Sequence, residues 1–148
     1  MDKSDFEFSF DRFNSLLTRN GRGLLTAKQR LLDTISHWPT FTQSMLSGNA
    51  SISIDDETKN VKGAVLGKEF DLSFGVVATD DGCQIEAILQ LTSATSGEAT
   101  EIGRFFFTPE GEVLSSGRYA VLQNDEDHQS YHLLCAVLRK VLASPQPA

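Results

Sequence analysis

Nowhere in these 148 residues do apolar side chains run for the roughly 20 positions that a membrane-spanning helix needs. The first ten residues, Met1 to Phe10, are acidic and broken by charges, which excludes the basic-then-apolar order of a signal peptide. Taken as native ends, these features predict a cytoplasmic protein with no membrane partner. Cysteine is scarce as well. Cys83 and Cys135 each sit inside an apolar pattern that suits a reduced, buried thiol, and whether they pair in an oxidising compartment is left open by sequence. One tryptophan and two tyrosines stand against ten phenylalanines, so most aromatic mass lacks a hydrogen-bonding handle and belongs to a core.

Catalytic signatures are missing too. Leu114-Ser-Ser-Gly117 lacks the first glycine of a serine-nucleophile elbow. Gly67-Lys68 has neither the preceding glycine spacing nor the following hydroxyl of a phosphate loop. Gly21-Arg22-Gly23 follows a helical pattern rather than a strand, so it cannot open a dinucleotide cradle. No cofactor is expected.

What is present fits one domain over residues 1–143, followed by a disordered tail at 144–148 that contains two prolines. Phe10, Phe13, Leu16 and Leu17 fall at helical spacing, and Asn20-Gly21 reads as a helix stop. Gly21 to Gly23 is then a flexible turn. Thr26 with Gln29 matches a capping box, which predicts a second helix to about His37. Pro39 restarts a short helix ending near Gly48. After Gly48 the period changes to two. Ile52 and Ile54 alternate with serines, and Val61–Leu66 follows as a strand weakened by Gly63. In 69–77, Phe70, Leu72, Phe74 and Val76 share one face. Asp80-Asp81-Gly82 predicts a hairpin turn into Cys83, Ile85, Ala87, Leu89 and Leu91. Strands at 102–108, 112–114 and 119–122 and a helix capped by Asn124 or Asp125 complete the chain. One greasy and one polar face per strand predicts an α+β fold. N-terminal helices and a C-terminal helix pack on one face of an antiparallel sheet of about five strands.

The net charge of −7 is uneven: residues 1–48 carry +1 and residues 49–148 carry −8. Phosphate repulsion therefore opposes nucleic-acid binding. The basic group Arg12, Arg19, Arg22, Lys28 and Arg30, which a helix-turn-helix reader would need, is interrupted by Asp11 and Asp33. The acidic runs Asp55-Asp56-Glu57, Asp80-Asp81 and Asp125-Glu126-Asp127 sit at turns or a helix start, where solvation and capping account for them.

Two constellations carry chemistry. His128, His132 and Cys135 lie on neighbouring turns of the last helix and are all metal-capable, which defines the alternative reading of a small metal-dependent or other enzyme. Arg139 shares the histidines' face and opposes a metal, so no metal is expected there. The second constellation is the water-facing side of the sheet. Glu69, Asp71 and Glu86 project there with Ile88 and, in the outward phase, Phe106. Apolar anchors inside an acidic rim predict a site for a basic protein partner. The leading expectation is thus a non-enzymatic protein-binding module, of the kind found among immunity-type toxin inhibitors and secretion or effector chaperones. A DNA-mimicking regulator is a further alternative, and a sheet face or edge also allows a homodimer.

Overall fold

The computed structural model describes residues 1–123 and 128–148. The cap assigned to Asn124 or Asp125 and the acidic run at 125–127 lie outside the described residues.

Lys3–Phe6 forms a 3₁₀ turn, and then a single helix, α1, runs from Phe10 to Ser36 over 27 residues. The expected stop at Asn20-Gly21 and restart at Thr26 do not occur, and the reason is tertiary. Asn20 is buried and donates its Nδ2 to the Thr79 carbonyl at 3.1 Å, so its side chain ties the helix to the sheet instead of ending it. Gly23 marks a close crossing, because a Cβ there would lie 2.6 Å from Cys83 Sγ. Thr26 Oγ1 donates back to the Arg22 carbonyl within the helix, so it caps nothing. Read as one helix, α1 carries a heptad stripe of Phe10, Leu17, Leu24 and Leu31 alternating with Phe13, Asn20 and Ala27.

α2 (Trp38–Ser44) starts with Pro39 in its first turn, as the sequence predicts. Trp38 is wholly buried, and its Nε1 donates to the Ser130 carbonyl at 3.0 Å. That bond joins α2 to α3 (Gln129–Ala143), whose Ser130 hydroxyl in turn donates to the Thr34 carbonyl of α1.

Among the described residues, seven strands form one antiparallel sheet in strict sequence order: β1 (Ala50–Ile54), β2 (Val61–Val65), β3 (Lys68–Thr79), β4 (Gly82–Thr92), β5 (Ala99–Phe107), β6 (Val113–Leu114) and β7 (Ala120–Leu122). The sheet curls into a half-barrel, and the α+β architecture is the one the alternation predicts. The short strands β6 and β7 fall inside the expected segments 112–114 and 119–122, and with both counted the sheet has two strands more than the expected five or so. Phe70, Leu72, Ile85, Ala87, Leu89, Leu91 and Phe107 form the inner face. They join one core with Ala27, Leu31 and Ile35 of α1 and Leu134, Val137 and Val141 of α3. Gly63 stands opposite Phe70, and a Cβ there would meet the Phe70 ring at 2.7 Å and the Ser51 carbonyl at 2.6 Å. The glycine expected to weaken β2 is thus the seat of an aromatic ring.

Residues 144–148 lie against the sheet's far end. Lys68 Nζ donates to the Ser144 carbonyl, Gln146 Nε2 to Thr92 at 3.1 Å, and Ser93 Oγ to Ala148 at 2.8 Å. Among the described residues, no helix is long and apolar enough to cross a membrane.

Candidate functional site

The outer face of the sheet gathers the residues singled out by the outward phase. Glu86 stands directly across from Phe106, Ile88 pairs with Arg104, and Asp71 pairs with Gln90. Glu69 sits opposite Ala64 toward β2. The five thus share one face, but the face is neither open nor uniformly acidic.

Phe106 is only 4% exposed and lies outside the main core cluster. Its neighbours across the ladder are Glu86 and Leu114, and the Arg118 guanidinium lies over its ring at 4.9 Å. Arg118 reaches it from a tight turn in which the Arg118 amide donates to the Ser115 carbonyl and the Ser115 amide to the Tyr119 carbonyl, both at 2.8 Å. Arg118 itself is left-handed, with φ 65°. The expected free aromatic anchor is therefore a covered one, and the β6–β7 connection is what covers it.

Arg104 changes the electrostatics. Its Nη1 is 2.9 Å from Glu86 Oε2, while its Nε and Nη2 both donate to the Glu101 carboxylate. The forked contact holds the Glu101 carboxyl below its usual range, mainly through the hydrogen bond, and raises the guanidinium. Lys62 lies 3.9 Å from Asp71. Glu69 makes no ion pair among the described residues. Arg104 escaped the sequence reading although the signal was present. It lies two positions before Phe106 in β5 and shares its outward phase.

The histidine–cysteine constellation does not assemble. His128 precedes α3 in a left-handed conformation (φ 61°), and its carbonyl receives the His132 amide. The His132 side chain borders a cleft of about 820 Å³ between α3 and β5, walled by Ile102, Phe105, Leu122 and Val137, with Lys140 at its rim. Cys135 borders a separate depression with Met45, Ala50 and Val65. The neighbouring Cys135 thiol raises the Tyr131 pKa. Among the described residues, no group of three or more His, Cys, Asp or Glu side chains is placed to hold a metal ion. Cys83 and Cys135 are both free thiols, and desolvation pushes the Cys83 pKa up, with Glu110 adding to it.

A surface that sequence reading treated as core remains uncovered. The first third of α1 overhangs the sheet. Arg19 Nη2 and Asn20 Nδ2 bond the carbonyls of Asp80 and Thr79 at the β3–β4 tip. Towards the N-terminus from there, only Leu16 is even half-buried. Along that stretch of about 15 Å, the heptad stripe continues with its apolar side chains largely exposed. Phe10 is 79% exposed, Phe13 45% and Leu17 54%. Phe8 folds back on the stripe, its ring centroid 6.0 Å from Phe10 and 5.9 Å from Phe13, and Phe6 is exposed as well. The periodicity itself was legible, but sequence cannot tell that the sheet ends before the stripe does. No family model, curated protein or solved structure matches this chain.

Proposed function

We propose that the protein acts by binding another protein, as immunity-type inhibitors and secretion chaperones of similar size and charge do. One observation carries the reading. The stripe that is half-buried at Leu24 and buried at Ala27 and Leu31 runs on, exposed, through Leu17, Phe13 and Phe10. A helix segment of this length gains little from propensity alone, and contiguous exposed aromatics mark interaction surfaces. The exposed Glu69 and half-exposed Asp71 are what remains of the acidic sheet face, and they offer a secondary contact for a basic surface.

Affinity capture from the native host's lysate tests this with three tagged forms: wild type, Phe13→Asp, and a Glu69→Lys/Asp71→Lys double variant. The expected result is a stoichiometric partner, either a different chain or an untagged copy, that is held by wild type and lost by Phe13→Asp. The Glu69/Asp71 variant should retain it with a weaker salt-sensitive component. A wild-type protein that recovers nothing, or a partner indifferent to Phe13→Asp, would sink the assignment to this surface.

A further inference from the structure

We infer that the cleft between α3 and β5 seats an extended peptide, which adds to the open edge of β5 as a strand and sets an acidic side chain against Lys140. The site is separate from the α1 stripe, so it goes beyond the reading above and is tested apart from it.

The backbone shows why a strand fits there. β5 begins at Ala99, yet β6 pairs only with its last two residues, Phe106 and Phe107. At Ser115 the chain turns away, because the Ser115 amide and carbonyl bond Tyr119 and Arg118 instead of β5. Thr108 donates its amide to the Glu112 carbonyl on the β6 side. By the two-residue period of a strand, Phe106 and Arg104 aim their backbone groups the same way. Phe106 meets Leu114 there, and among the described residues no strand meets Arg104. The cleft lies along this edge, lined by the consecutive residues Glu101 to Phe105, roughly 15 Å of strand. An unpaired edge is a template for another chain. Strand addition draws affinity from main-chain bonds and selectivity from alternate side chains.

The walls and their charge define the occupant. A strand that continues the line of β6 antiparallel to β5 points the residues opposite Phe105 and Gly103 inward, toward α3. The first enters apolar surroundings made by Leu122, Leu133 and Val137. The second meets Lys140, whose stem crosses the glycine: a Cβ at Gly103 would lie 3.5 Å from Lys140 Cγ and 3.6 Å from Lys140 Cε. His132, Ala136 and Lys140 form one row along α3, and the small Ala136 at its centre leaves the cleft open. Lys140 makes no ion pair among the described residues. Glu101, the one carboxylate among the described lining residues, is already held by Arg104. An unpaired cation beside an apolar hollow selects a peptide with an apolar residue followed two positions later by aspartate or glutamate.

Panning a phage-displayed library of random heptapeptides against the full chain tests the inference. Enriched sequences are expected to place an apolar residue two positions before an acid. The most enriched peptide, made synthetically and followed by fluorescence anisotropy, should bind Lys140→Glu and Ala136→Phe at least tenfold more weakly than wild type. Both positions are exposed, so both variants should keep wild-type far-UV circular dichroism. Panning against Lys140→Glu should replace the acid by lysine or arginine. In the complex the Arg104 amide should exchange with solvent at least tenfold more slowly. No enrichment, a peptide indifferent to Ala136→Phe, or an absent acid preference overturns the proposal. An Arg104 amide that exchanges as before overturns strand addition, and dodecanoate bound in the cleft where no peptide binds overturns it in favour of a small amphiphile. Phe13→Asp should bind the peptide as wild type does; loss there would move the peptide to the α1 stripe and overturn the cleft assignment alone.

Discussion

Two glycines in α1, two positions apart, carry opposite constraints. A Cβ at Gly21 would meet nothing within 4 Å, whereas one at Gly23 would sit 2.6 Å from Cys83 Sγ and 3.5 Å from Pro109 Cγ. Glycine costs a helix interior about 1 kcal/mol relative to alanine. Gly21→Ala is therefore expected to stabilise by about that much, read as a shift in urea midpoint at constant m-value. Gly23→Ala should gain nothing, because the methyl group displaces the thiol, and it should recover the gain in a Cys83→Ala background. Equal effects at the two sites would show that α1 does not cross β4 closely. In sequence the pair reads as a turn, since glycine marks both breaks and close approaches, and only the partner at Cys83 distinguishes them. Arg104 and Phe106 teach the same limit. Alternation places both outward, but their covering and pairing depend on Glu86 across the ladder, on Glu101 three residues back in β5 and on Arg118 from the β6–β7 connection.

Among the elements, the β2–β3 connection departs furthest from local preference. Val65 pairs with Lys68 across Leu66 and Gly67, whose φ values are 49° and 80°. Two positive φ values make the mirror-image turn that matches strand twist, and the first position favours asparagine. Leu66 is 69% exposed there, so it has no packing to compensate for the left-handed backbone. Leu66→Asn is expected to stabilise by about 0.5–1 kcal/mol, visible as a higher midpoint in chemical denaturation. No gain, or a loss, would mean that the leucine makes contacts that the turn geometry does not reveal. Sequence reading extended β2 through this residue because leucine continues an apolar run. The long strands β3 and β4 were legible because their alternation lasts long enough to be counted. β6 and β7, though too short to show a period, fall inside the segments 112–114 and 119–122 read as strands, and the acid run at Asp55 already spoke of a turn, since its Oδ1 receives the Thr58 and Glu57 amides at 2.8 and 2.9 Å.

At the scale of the whole molecule, the sheet is a meander that pairs each strand only with its neighbours in sequence, and the helices close it. Layer order and fold class follow from one-sided strands flanked by helical segments, which is why they were legible. Where the layers stop was not, and the overhang of α1 is the consequence. Trp38 sits at the junction of all three helices, wholly buried and bonded to Ser130. If helices and meander form one cooperative unit, Trp38 emission and far-UV circular dichroism should trace a single superimposable denaturation curve. Separated transitions would divide the chain into a helical cap and an independently stable sheet.

The order of the chain also imposes a wait. α1 leaves the ribosome before the sheet and α3, and the groups that receive it, Thr79 and Asp80 at the hairpin tip and Ser130 on α3, come much later. At roughly 5–20 residues per second, translation leaves Leu24, Ala27, Leu31 and Ile35 without a sheet for on the order of 5–20 s. During that interval the buried and the overhanging parts of the stripe are indistinguishable, one continuous greasy helix face in a crowded cell. Nascent helices of neighbouring chains on one message would meet through that face, so assembly during synthesis would compete with folding for the same residues.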